Sequence, residues 1–348
     1  MKKYSRLFII AILSLLMIFA LVRLGNIEFS LDTLARVSPG WYALVVFSFY
    51  ASVLARGWRW QHILKTMGWP VKLRYASTLL TAGLFLSAIL PARAGDIGRV
   101  AMLRQDHQIP VAKGIASIAA ERVLDVFAIL LLALLGAQLA LPGRLPPWVL
   151  QLMQVVALLL VAGLAGLLLI PGLESWLRQN RLIQKIVPGR VWPLYLKLLN
   201  FGFSLLNGVR LLVDRPAALA VIIGQSFFIW LWDGIILYLI LTSLGLLQPF
   251  GVGLFTSMVG ALVTAVPLTP GAIGQYDAAL VSLLALFRLS TADSGLAVLL
   301  LRFVQLWTFI PVAGLVTYIF GFSRALNLKS ANAETVAPAL TAVEPAES

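Results

Sequence analysis

Pro91-Ala92-Arg93-Ala94-Gly95-Asp96-Ile97-Gly98 and Pro267-Leu268-Thr269-Pro270-Gly271-Ala272-Ile273-Gly274 follow one pattern, Pro-x-x-x-Gly-x-Ile-Gly, 176 residues apart in a chain of 348. Each copy closes an apolar run. Proline ends a helix by removing a donor and crowding the preceding turn, and glycine lets the chain reverse. A helix-breaking motif repeated at half-length in a hydrophobic chain points to a membrane transporter with a broken helix in each half. In that architecture the breaks flank the binding site.

The rest of the chain supports a membrane location. It is 60% hydrophobic and 12% charged, with a mean hydropathy of +0.94, whereas soluble domains are about 25% charged. The expected fold is an all-α polytopic membrane protein. Lys2, Lys3 and Arg6 precede 16 uncharged residues, Leu7 to Val22, and Arg23 closes the run. No small-residue cleavage site follows, so the run reads as a retained first helix and not a signal peptide. The absence of cysteine excludes disulfide and thiolate chemistry. The two histidines, His62 and His107, read as polar loop residues and make no metal cluster, so no cofactor is expected.

Eight apolar segments can be marked: 7–24, 40–57, 75–91, 114–141, 148–170, 216–243, 251–267 and 295–320. The third and seventh are short, and both end at the motif. If the third crossed fully, the stretch 171–215 would lie outside with Arg178, Arg181, Lys185, Arg190, Lys197, Arg210 and Arg215. That contradicts the bias of basic residues toward the cytoplasmic side. If 75–110 instead dips in and returns, only Arg23, Arg36, Arg144 and Arg288 face out, while Arg122 and Arg302 stay within spans. The same logic makes 251–288 a second hairpin entering from the outer side. The expected topology is an inverted repeat, about six full transmembrane helices plus two re-entrant helical hairpins, with both termini cytoplasmic. Repeat 1 covers about 40–141 and repeat 2 about 216–320 in a transmembrane domain of 1–325. Segment 171–215 reads either as an interfacial helical stretch on anionic headgroups, broken at Pro188-Gly189, or as a solvated basic loop. The tail 326–348 is expected to be disordered. This topology accounts for the net charge of +13, so no nucleic-acid partner is implied.

Backbone that leaves helical geometry in a membrane must be buried or line a wet cavity. Gly95, Gly98, Gly271 and Gly274 would expose N–H groups at the turns, and the returning half-helix would present its positive dipole end to a phosphate or carboxylate. Arg93 and Arg99 add positive charge, and Asp96 can cap the helix or pair with an arginine. Charged residues in spans are costly and call for partners or a use. Glu121, Arg122 and Asp125 are spaced to form a local network, Asp277 and Arg302 could pair between hairpin and last span, and Asp233 is the sixth such residue. They act either as interhelical braces or as the polar floor of a pathway. Trp41, Trp58, Trp60, Trp69 and Trp148 fall near span ends, where an aromatic belt explains them.

Ala55-Arg56-Gly57-Trp58-Arg59-Trp60, Leu90-Pro91-Ala92-Arg93-Ala94-Gly95-Asp96, Glu121-Arg122-x-x-Asp125 and Pro267-Leu268-Thr269-Pro270-Gly271-Ala272-Ile273-Gly274 resemble the signatures of a known family. This is the lysylphosphatidylglycerol synthase transmembrane region, also described as flippase-like integral membrane proteins. The resemblance covers about 1–325. Ala272 stands where the family usually has a second glycine, and Asp277 where a glutamate is common. Larger members add a soluble domain that transfers lysine to phosphatidylglycerol, for which this chain leaves no room after its last span. The resemblance thus implies translocation without synthesis, in a bacterial or archaeal inner membrane.

The leading expectation is a translocator for an anionic, modified or isoprenoid-linked lipid, with membrane lipids as partners. The site residues expected for it are Arg93, Gly95, Asp96, Gly98, Arg99, Glu121, Arg122, Asp125, Pro270, Gly271, Gly274, Asp277 and Arg302. Arg93, Arg99, Arg122 and Arg302 would neutralise phosphate along the route. The competing expectations are a membrane-embedded glycosyl or lipid transferase, with Glu28 and Asp32 in an outer loop, and an accessory that recruits a lipid-modifying synthase or glycosyltransferase.

Overall fold

The computed structural model describes residues 37–90, 94–140, 192–264 and 269–320, with isolated helical positions between 151 and 176. The first apolar segment, Pro91, Arg93, Pro267, Glu28, Asp32, 177–191 of the basic stretch and the tail lie outside the described residues. Among the described residues the fold is helical throughout, with no strand. Helix α1 is Pro39–Thr66, α2 Leu73–Ile89, α3 Ala94–His107, α4 Val111–Ala140, α5 Trp192–Val213, α6 Pro216–Ser243, α7 Phe250–Val263, and α8 Gln275–Leu286. The last helix, α9, is Thr291–Ile319.

Among these, α4, α6 and α9 are long and apolar enough to cross a membrane. Helix α1 is 28 residues long. It overruns the expected segment 40–57, because Arg56 and Arg59 find partners inside the protein and do not end the helix. Arg59 is fully buried and Arg99 is 2% exposed. Both were expected to count as cytoplasmic positive charge, and neither is a loop residue. His62 also lies on α1, where its Nδ1 meets Gln225 Oε1 at 3.0 Å, not in a loop.

Two pairs of short helices form hairpins. Helices α2 and α3 have 17 and 14 residues, about 26 and 21 Å of rise, less than the roughly 30 Å of a hydrocarbon core. They pack antiparallel. The Tyr75 hydroxyl reaches Asp106 Oδ2 at 2.9 Å at one end. At the other, Gly95 sits so close to the Gly83 carbonyl that no Cβ would fit. Leu90 ends α2 in an extended conformation, φ −104° and ψ 145°, as the residue before a proline must. Helices α7 and α8, 14 and 12 residues long, pair in the same way, with Gly260 against Leu280 and Tyr276.

The tip of the second hairpin contains the 3₁₀ turn Pro270–Ala272. This turn packs on the end of α2 beside Ala88 and against Leu306 of α9. The second tip therefore meets the end of the helix that leads into the first break. Gly271, Ala272 and Gly274 have φ of 60°, 51° and 77°. Glycine adopts this region freely, but alanine does not. Helix α5 is one continuous helix over the second part of the basic stretch and packs along α4, with Gly208 at Ala116.

Two substitutions test the tips. Gly95→Val should cost more than about 2 kcal/mol, because the two hairpin backbones cannot separate without unpacking. Ala272→Gly should stabilise the fold by up to about 1 kcal/mol, seen as a higher melting midpoint, by removing the left-handed penalty. Thermal unfolding followed by size-exclusion chromatography in detergent reads both.

Candidate functional site

Helix periodicity sets the first cluster. Glu121 and Asp125 lie one turn apart on α4, Asp96 and Arg99 are three apart on α3, and Arg59 faces them from α1. Arg59 Nη1 donates to Asp125 Oδ1 at 2.6 Å and to Ser226 Oγ at 2.9 Å, and Nη2 to Glu121 Oε1 at 3.1 Å. Arg99 Nη2 donates to the other Glu121 oxygen at 2.8 Å. The Arg99 guanidinium lies 3.9 Å from the Trp60 ring centroid, so Trp60 is a buried platform and not part of an interfacial belt. Arg122 is looser: it reaches Asp96 Oδ2 at 3.3 Å and Asp125 Oδ2 at 3.5 Å, with a side chain 37% exposed.

Trp230 carries the polar chain onward. Its Nε1 donates to Asp125 Oδ1 at 2.7 Å, and its ring lies 4.8 Å under the Arg56 guanidinium. Arg56 in turn pairs with Asp233, which also accepts from Ser52 Oγ at 2.9 Å. Arg302 forms the third centre. Its Nε pairs with Asp277, Nη1 donates to the Gly271 carbonyl at 3.2 Å, and Nη2 to the Ala272 carbonyl at 3.1 Å.

Between these groups lies a cavity of about 280 Å³. Ser52, Arg56, Ser87, Asp233, Gly271, Arg302 and Gln305 supply its polar wall. A neighbouring cavity of about 200 Å³ shares Asp233, Gly271, Arg302 and Gln305, and adds Trp230 and Tyr276. Both open beside the tip of the second hairpin, and the larger also touches α2 at Leu84, Ser87 and Ala88.

The structure thus groups the expected residues in two places. Asp96, Arg99, Glu121, Arg122 and Asp125 join the front cluster, while Gly271 and Arg302 line the cavity and Asp277 is buried against Arg302. Pro270 opens the 3₁₀ turn, Gly274 caps α8, Gly95 seals the first hairpin, and Gly98 is half-buried on α3. At Gly95 and Gly274 the turn amides are not the bare donors expected. Gly95 N–H donates to Ser87 Oγ at 3.2 Å, Gly274 N–H to Asp277 Oδ2 at 2.8 Å, and Ala272 N–H to the Thr269 carbonyl at 2.9 Å. The second tip instead turns two carbonyls to Arg302. Sequence reasoning also missed Ser52, Arg56, Arg59, Trp230 and Gln305 as site residues. The signal was present: Ser48, Ser52, Arg56 and Arg59 recur every three or four residues, a polar stripe on one face of α1.

The model of the lysylphosphatidylglycerol synthase TM region family matches residues 6–313, which include both hairpins and both clusters. The chain belongs to this family. With three helices among the described residues long and apolar enough to cross a bilayer, it is a multi-pass membrane protein. A UPF0104 membrane protein of Methanocaldococcus jannaschii is 25% identical over 68% of this chain and 94% of its own length. A UPF0104 membrane protein of Methanothermobacter thermautotrophicus is 23% identical over 88% of this chain and 92% of its own. The glycosyltransferase AglD of Haloferax volcanii is 26% identical over 86% of this chain, which spans half of that relative's length. No solved structure matches.

Removing one partner from a buried ion pair strands the other charge. Arg59→Met, which leaves Glu121 and Asp125 facing each other, should therefore cost roughly 3–5 kcal/mol and be partly rescued by Asp125→Asn. Arg122→Gln should cost at most about 1 kcal/mol, since its contacts are long and wetted. Melting midpoints of the three variants in detergent check the order.

Proposed function

We propose that the protein moves a phosphate-bearing membrane lipid across the bilayer, with the headgroup passing through the cavity between the two hairpin tips. The observation that carries this reading is the Arg56–Asp233 pair. It faces the larger cavity with side chains 19% and 25% exposed, and only Nη2 of the Arg56 guanidinium engages Asp233. A phosphate can dock on the remaining edge of that fork, which suits its geometry. Arg122, its side chain 37% exposed, stands at the other end of the polar chain. Arg99 and Arg302 are held by buried partners and serve to position the hairpins. In this reading the hairpins enter the bilayer from opposite faces, giving inverted halves of about 40–141 and 216–320. Both termini are cytoplasmic in a bacterial or archaeal inner membrane, and segment 171–215 rests on anionic headgroups.

A second reading has one observation in its favour. Asp233 is a carboxylate lining both cavities, the placement a general base needs in a transferase acting on a lipid-linked donor. A relative bearing the name glycosyltransferase keeps that alternative in view. In either case the substrate is a lipid with a polar, phosphate-bearing head.

Purified protein in liposomes should speed the exposure of fluorescent phosphatidylglycerol to an external quencher. Arg56→Gln should abolish that acceleration, while Arg210→Gln, on α5 away from the cavity, should leave it intact. An Arg56→Gln protein that moves lipid at the wild-type rate would falsify the assignment. Turnover of a lipid-linked sugar by the pure protein, lost in Asp233→Asn, would favour the transferase.

A further inference from the structure

The larger cavity has two ends of opposite character. Arg56, Asp233 and Arg302 make one end polar, whereas Phe49, Val53, Leu84 and Phe309 make the other apolar. Phe49 and Val53 of α1 and Phe309 of α9 build the apolar end along the seam between these two helices, and beside the π turn few polar contacts close that seam. The Phe49 ring meets the Phe309 ring edge-on with centroids 5.7 Å apart, and the Tyr50 hydroxyl donates to Thr308 Oγ1 at 3.1 Å. On the outer surface beside it, Leu54 of α1 and Leu315 of α9 are 62% and 60% exposed. In a membrane protein such side chains meet hydrocarbon, which is as apolar as leucine. The seam therefore joins residues that line the apolar end of the cavity to side chains that face hydrocarbon.

Helix α9 is irregular at this point. Phe303–Thr308 is π-helical, and Gln305 and Leu306 from that turn line the cavity. Pro311, just beyond, lacks the N–H that would bond the Trp307 carbonyl. π turns and prolines are where helices bend. Arg302, which holds the Gly271 and Ala272 carbonyls of the hairpin tip, immediately precedes the π turn. Hairpin tip, π turn and seam thus lie on one mechanical line.

We infer that the α1–α9 seam is a lateral portal through which one hydrocarbon tail of a membrane lipid enters the cavity, with the π turn and Pro311 as its hinge. This rests on the headgroup site at Arg56 and Asp233 proposed above. A molecule with a charged head and a long apolar tail matches both ends of the cavity, whereas a water-soluble phosphate matches only one. Opening at the π turn separates the Phe49–Phe309 rings, the Tyr50–Thr308 hydrogen bond and the packing of Val53 on Phe309, while the Tyr42 hydroxyl stays on the Leu300 carbonyl two turns away, α1 stays packed on α6 and α9 on α2.

The natural chain has no cysteine, so Tyr50→Cys with Thr308→Cys creates its single thiol pair. A short reducible bis-thiosulfonate reagent can then tie the seam shut. The full-length protein is placed in nanodiscs with phosphatidylglycerol carrying a diazirine at the end of one acyl chain, and photolabelled residues are mapped by mass spectrometry. Val53 and Phe309 are 7% and 4% exposed, so a label there requires a tail inside the protein, while Leu315 reports ordinary bilayer contact. Wild-type protein should carry label at all three. Closing the seam should remove it from Val53 and Phe309, spare Leu315, and be reversed by reductant. Label confined to Leu315 in the wild type, or a Val53 label indifferent to the crosslink, overturns the portal. The wild-type pattern is decisive alone if the double variant folds poorly. Because labelling needs no transport, the two proposals fail separately. Interior label without lipid movement sinks translocation and keeps the portal, and lipid movement without interior label does the reverse.

Discussion

The guanidinium of Arg59, shut away from solvent and shared by Glu121, Asp125 and Ser226, is the constraint on which the arrangement of helices depends. A charge placed in an apolar interior is tolerated only when its partners are fully engaged. That requirement fixes α1 against α4 and α6 in both depth and rotation. Arg99, held by Glu121 and stacked on Trp60, then draws α3 and with it the whole first hairpin to the same point. Four helices are located by two arginines.

Charge balance follows from the same physics. In and around the interior, Arg56, Arg59, Arg99, Arg122 and Arg302 are matched by Asp96, Glu121, Asp125, Asp233 and Asp277, and each arginine has a carboxylate partner. In the translocation reading, an entering anion would meet a neutral wall and have to compete with a resident carboxylate. Where it can compete is set by exposure and by unused donors. The pairs of Arg59, Arg99 and Arg302 are buried, while those of Arg56 and Arg122 are partly exposed, and the proposed function gives the exposed pairs the role of exchanging partners. The division between bracing and binding is therefore a matter of solvent access, not of residue type.

The second hairpin tip applies this principle to the backbone. Left-handed conformations at Gly271 and Ala272 turn two carbonyls inward, and Arg302 satisfies both while pairing with Asp277. An irregular turn can persist at depth because one side chain supplies the donors that water would supply elsewhere. The same side chain begins the π turn, so the geometry of the tip and the wall of the cavity are linked covalently through α9.

Much of this was legible in the residues alone. The repeated proline and glycine motif located both breaks, the hydropathy marked α4, α6 and α9, and the cost of charge in apolar surroundings singled out Glu121, Arg122, Asp125, Asp233, Asp277 and Arg302. Local chemistry suffices for such readings, because a proline disrupts its own turn and a buried charge is expensive wherever it lies. Pairing across the molecule was another matter. Arg56 and Arg59 looked like loop residues because basic side chains usually mark the end of a span, and the partners that keep them helical come from segments 62 to 177 residues away. The direction of the hairpin carbonyls and the sharing of Asp233 between two cavities likewise depend on which helix faces which. Composition and period determined that this chain has broken helices in a membrane. Only tertiary packing decided which arginines are sealed in and which stay partly exposed, because solvent access belongs to the assembled fold and not to any residue.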